Sequence, residues 1–107
     1  MIDRVESHLD AFNHAVRSSN WDAFADRFAV DARMEFVGVP AGPFEGRDAI
    51  ASAYRENPPQ DTMTARDVES DGSVDVVRFA WDGGGGGTMR LSWTGDGLVA
   101  ALSVAFD

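Results

Sequence analysis

The chain has 107 residues, 44% of them hydrophobic, and its 18 acids against 9 bases give a formal charge of −9. That length and apolar share fit one globular domain, residues 1–107, and the acidic excess argues against a nucleic-acid partner, whose affinity rests on Lys and Arg neutralising phosphates. The absence of cysteine removes disulfides, thiol nucleophiles and thiolate metal sites. No apolar run is long enough to cross a membrane, and no signal peptide opens the chain, so a cytoplasmic setting without a membrane partner is expected. All nine bases are arginine, and Asp outnumbers Glu 13 to 5. GC-rich coding and salt adaptation both produce such a bias, and either way the charge serves solubility.

Ile2, Val5, Leu9, Phe12 and Val16 recur at spacings of three and four, which predicts an amphipathic helix. Ser18-Ser19-Asn20 breaks it, and Asn20 is placed to cap a second helix carrying Trp21, Phe24 and Phe28. Residues 33–37 alternate as a strand, and 38–46, with Pro40, Gly42 and Pro43, read as a loop. Residues 46–55 form a third helix, which Asn57-Pro58-Pro59 stops.

From Thr62 the period becomes two. Residues 62–69 and 74–82 are strands joined at Asp71-Gly72, a hairpin turn. The run 83–87 is a glycine loop, followed by strands at 88–94 and 98–106 with Gly95-Asp96-Gly97 between them. Alternation puts Asp75, Val77, Phe79 and Trp81 on one face, with Met89, Leu91 and Trp93 beside them. The last strand adds Ala100, Leu102, Val104 and Phe106. Helices first and an antiparallel meander last define an α+β domain.

This order resembles the nuclear transport factor 2-like superfamily, which includes ketosteroid isomerases and SnoaL-like polyketide cyclases. The matching residues are Phe28-Ala29-Val30-Asp31-Ala32, Gly46-Arg47-Asp48-Ala49-Ile50, and the spacing of Trp81, Asp96-Gly97 and Phe106. The resemblance implies three helices and a cone-shaped, curved antiparallel sheet wrapped around the N-terminal helix. It also implies a pocket in the open end, usually in a homodimer. The family's isomerases use an aspartate base with a tyrosine and a protonated aspartate at the oxyanion. Laid over this chain, the resemblance places the tyrosine at Phe12, the base near Phe36 and the oxyanion aspartate at Met89, all apolar. Ketosteroid isomerase chemistry is therefore not expected.

The interior set is Phe12, Met34, Phe36, Val77, Phe79, Trp81, Met89, Leu91, Trp93, Leu102, Val104 and Phe106. These residues either fill the cone as core or line a cavity for a small apolar molecule, with Tyr54 as a polar handle. Asp75 is the carboxylate expected on the inner face, where desolvation would raise its pKa and suit it to act as a base. His8 borders the helix stripe near a pocket rim, whereas His14 faces outward. Asp75, Tyr54 and His8 are thus the catalytic candidates for general acid/base isomerase, cyclase or hydrolase chemistry. A non-catalytic ligand-binding or interaction module is the alternative.

No metal triad is completed by the two histidines, and no cofactor is implied. The 83–87 glycines lead into a strand rather than a helix, so they form no phosphate loop. Arg33 and Glu35 read as a surface or dimer pair. On the outer sheet face Ala80, Ser92, Ala101, Ser103 and Ala105 are small, with Arg66, Arg78 and Arg90 among them. Small side chains allow close approach of a second sheet, so a homodimer through this face is expected.

Overall fold

The computed structural model describes residues 4–39 and 42–107; Ile2 of the helix stripe and Pro40 of the loop lie outside them. The elements are α1 (Arg4–Ser18), α2 (Trp21–Ala25), β1 (Phe28–Val37), β2 (Phe44–Glu45), α3 (Arg47–Glu56), β3 (Met63–Ser70), β4 (Val74–Trp81), β5 (Gly86–Trp93) and β6 (Val99–Phe106). Six strands form one curved sheet in the order β2-β1-β6-β5-β4-β3. The α+β class and the three helices stand as the sequence implied.

The sheet is mixed rather than wholly antiparallel, because β1 lies parallel to β6. The three hairpins of the meander force β3 to β6 into antiparallel neighbours. The long connection from β1 through α3 leaves the first strand free to take either direction. β1 also starts five residues earlier than its alternation suggested, and Phe28 belongs to it rather than to α2. A register shift between Phe28 and Arg33 spoils the period of two, since Phe28 and Ala29 are both buried in succession. Arg47 holds this irregular start by donating through Nε and Nη2 to the Phe28 carbonyl oxygen at 2.9 and 2.6 Å. The Gly46 N–H donates to the Ala32 carbonyl at 2.7 Å, with Gly46 at a φ of 96° that favours glycine. The Gly46-Arg47 pair thus joins α3 to β1.

Asn20 caps α2 as its residue type predicts, accepting the Ala23 N–H at 3.2 Å. The glycine loop is shorter than its composition suggested, because Gly86 and Gly87 already belong to β5. A Cβ on either would press into a backbone carbonyl, that of Phe79 or that of Ala105. These two glycines therefore pack a strand closely instead of making a turn. A second shift, between Ser92 and Trp93, buries Val99 in place of Ala100, which is only half-buried.

The buried stripe of α1 comprises Val5, His8, Leu9, Phe12 and Ala15, and it lies in the concave face of the sheet. Asn13 fastens the helix to β3, a sheet edge. Its side chain accepts the Met63 N–H and donates to the Met63 carbonyl, both at 2.9 Å. That pairing satisfies backbone groups that an edge strand leaves open.

Candidate functional site

The inner face of the cone is hollow at one end. A cavity of about 340 Å³ opens there between α1, α3, the segment 59–61 and the sheet. Eight of the twelve predicted lining residues border it: Phe12, Phe36, Phe79, Trp81, Met89, Leu102, Val104 and Phe106. Met34, Val77, Leu91 and Trp93 do not; the first three are sealed in core toward the closed end, and Trp93 packs behind His8. Leu9, Pro59, Gln60, Asp61 and Met63 also border the cavity. Leu9 sits in the helical stripe and Pro59 in the Asn57-Pro58-Pro59 stop of α3, but nothing local says which way the 59–61 loop folds.

The mouth is built from polar ties outside the apolar wall. The Gly83 N–H donates to Asp61 Oδ2 at 2.8 Å, Thr64 Oγ1 donates to Asp82 Oδ1 at 3.1 Å, and the Thr62 hydroxyl also donates to Asp82. The Asp61 bond clamps the 59–61 segment to the β4–β5 turn, and the two threonines tie the chain around the start of β3 to the same turn. At the other side of the rim Phe106 stacks on Phe36 with centroids 6.0 Å apart, and Phe44 meets Phe36 edge-on.

Two of the three catalytic candidates reach the cavity. Tyr54 stacks flat on Trp21 at 4.8 Å, with Phe12 and Phe24 edge-on to its ring. Burial pushes its phenol pKa upward, so the group stays protonated. His8 is 2% exposed and lies on the wall, not at a boundary position. It stands three residues after Val5 and four before Phe12, which is the centre of the buried stripe. Phe24, Phe28 and Trp93 surround its ring at 5.2, 5.9 and 6.4 Å. Burial, and then the charge of Arg27, lower its pKa to about 3, so the imidazole is neutral.

Asp75 stands elsewhere. It is 2% exposed and on the inner face, as alternation required, but it does not border the cavity. Arg4 donates to it through Nε at 2.7 Å and Nη2 at 3.3 Å, and Trp93 Nε1 donates at 2.9 Å. The Arg4 guanidinium also lies 5.1 Å from the Trp93 ring centroid. The expectation of a raised pKa is therefore overturned. The Arg4 hydrogen bond outweighs desolvation and holds this carboxyl below the ordinary carboxylate range. An ionised, fully engaged carboxylate with no path to the cavity orients Trp93 and does not suit proton abstraction.

His14 is exposed, as expected. Arg33 pairs with Glu35 at 3.6 Å and Glu45 at 4.0 Å on the surface. On the outer face Arg66, Arg78 and Arg90 are exposed, and the small residues between them are half-buried. Among the described residues no cluster of His, Asp or Glu could hold a metal, and no helix is long and apolar enough to cross a membrane.

A curved sheet closed by α1, with an apolar cavity at its open end, defines a cone-shaped α+β fold. The chain belongs to the SnoaL-like domain family, whose model matches residues 5–102. Its fold is shared by a SnoaL-like protein of unknown function from Burkholderia thailandensis E264, at 13% identity and a TM-score of 0.77 over 97% of this chain and 94% of that one. It is shared too by SalBIII, an epoxide hydrolase/cyclase-like enzyme with a role in pyran ring formation in the polyether salinomycin, at 17% identity and a TM-score of 0.73, covering 94% and 88%. A computationally designed 17-OHP binder matches at 13% identity and a TM-score of 0.74, covering 100% and 93%. No curated protein matches the sequence significantly.

Proposed function

We propose that this chain binds a small apolar molecule in the open end of the cone. The observation that carries the reading is the cavity of about 340 Å³, whose wall is almost wholly aliphatic and aromatic in a domain of only 107 residues. A domain of this size has little apolar surface to spare, and an unfilled void costs stability. The resemblance puts the isomerases' tyrosine at Phe12 and their two aspartates near Phe36 and at Met89, all apolar here, and Asp75 is tied to Arg4, so steroid isomerisation is not the activity proposed. The fold's relation to SalBIII and to a 17-OHP binder agrees with an apolar ligand.

The test is titration of the whole protein with 2-ethylnaphthalene, followed by tryptophan fluorescence and thermal unfolding. Binding with a concentration-dependent rise in Tm is expected, and Leu102→Trp, which fills the cavity, should abolish it. A wild-type protein that ignores the probe overturns the reading.

A second reading is general acid/base catalysis of isomerase, cyclase or hydrolase type. It is favoured by His8, Tyr54 and Asp61 bordering one cavity, three polar side chains from three different segments. We further propose a homodimer in the cytoplasm, paired through the outer sheet face. There a depression of about 270 Å³ is bordered by Arg33, Glu35, Arg90, Ser92, Ala101 and Ser103, among others. Sedimentation at micromolar concentration should give twice the 11.5 kDa chain mass, and a value near 11.5 kDa would refute pairing.

A further inference from the structure

Two buried side-chain nitrogens have no hydrogen-bond partner among the described residues: His8 Nδ1 and Arg27 Nε. Native proteins leave few such groups, because each costs about 1–3 kcal/mol. His8 is the more informative, because its ring also borders the cavity. Its Nδ1 is sealed inside the protein. Nε2 is not among the sealed atoms and has no hydrogen-bond partner among the described residues, so with the ring on the cavity wall Nε2 is the nitrogen we assign to the cavity side.

The proton has two places to sit, and they are not equivalent. A sealed N–H with no acceptor is the costlier orphan, whereas a sealed lone pair is tolerated more readily. The proton therefore belongs on Nε2, where it points into an apolar space that offers it nothing. With Tyr54 also protonated, the deep wall carries donors but no charge. The carboxyl bordering the cavity is that of Asp61, and it lies in the segment at the mouth.

We propose that His8 Nε2–H is a hydrogen-bond donor awaiting the ligand, and that the ligand is an uncharged apolar molecule bearing an acceptor oxygen, as in a ketone or ester. This rests on the reading that the cavity holds a ligand, and it names that ligand's chemical class. An anion would have to leave water and pass Asp61 without a cation on the wall to receive it. A pure hydrocarbon would leave the His8 donor orphaned.

Three probes of one shape separate the outcomes: 2-acetylnaphthalene, 2-ethylnaphthalene and 2-naphthoate, titrated into the intact protein. The ketone should bind about tenfold more tightly than the hydrocarbon, the size of one net hydrogen bond, and the carboxylate should bind most weakly. His8→Phe should erase the ketone's advantage, bringing the ratio of ketone to hydrocarbon affinity to about one, while His8→Gln, which keeps an N–H donor, should restore most of that ratio. Nitrogen-15 shifts of the His8 ring should report the Nε2–H form, with Nε2 moving on addition of the ketone. Equal binding of ketone and hydrocarbon, or tightest binding of the carboxylate, would overturn the inference while leaving the apolar cavity reading intact. If none of the probes binds, the two fall together.

Discussion

Replacing Phe28 with alanine is expected to destabilise the fold by about 4 kcal/mol, the usual cost of deleting a sealed aromatic ring. Phe28 is 0% exposed, and it packs against His8 and Phe24 where β1, α1 and α2 meet. The space it vacates cannot collapse, because Arg47 pins the Phe28 carbonyl and fixes that stretch of backbone. Small domains hold only about 5–15 kcal/mol in reserve, so the loss should lower Tm by roughly 20 °C. Phe106→Ala is the control. That ring is 44% exposed at the cavity rim, and it should cost no more than about 1 kcal/mol. Urea unfolding of the two variants checks the contrast, and equal losses would show that the rim is as tightly packed as the closed end.

Asp75→Ala should cost about 3 kcal/mol, because it leaves the Trp93 Nε1–H inside the fold without its acceptor and strips Arg4 of its bidentate partner. Arg4 keeps contact with the Gly72 carbonyl oxygen at 3.4 Å and is partly exposed, so solvent softens its share of the loss. The same pair predicts a pH dependence. Asp75 has a lower pKa folded than unfolded, so the folded state binds fewer protons. Its contribution is complete above the unfolded value of about 3.9 and is lost as pH falls through the folded one. His8 acts at higher pH with the same sign. Its pKa falls from 6.5 to about 3 on folding, so the neutral ring stabilises the fold fully above pH 6.5 and progressively less below. Unfolding free energies measured from pH 7 to pH 3 should therefore fall in two stages. His8→Phe removes the upper stage, and Asp75→Asn removes the lower. A wild-type stability flat from pH 7 to pH 5 would contradict the buried neutral imidazole.

The division between what was legible and what was not follows the range of the forces involved. The meander was readable because alternation along one strand is a local property, and so Asp75, Val77 and Phe79 were assigned correctly to the inner face. β1 was only half readable, because its first residues are held by Arg47 from another element rather than by their own alternation. For Asp75 alternation gives the face but not the chemistry. Burial is visible in alternation, but Arg4 lies 71 residues away and only folding brings it within 2.7 Å. His8 shows the opposite case: its spacing puts it at the centre of the stripe, whereas its polarity alone favours a boundary position, and the fold follows the spacing.

The sequence by itself determined the α+β class, the SnoaL-like relationship and the apolar inner face, since each depends on residue type and spacing along the chain. The tertiary structure alone decided that the cone is hollow at one end. It also decided that Phe36, Phe79 and Trp81 face the void while Met34, Val77 and Leu91 are core. A cavity is the space left when distant segments fail to meet, and it is set by how the 59–61 segment, α1 and the sheet close around one another.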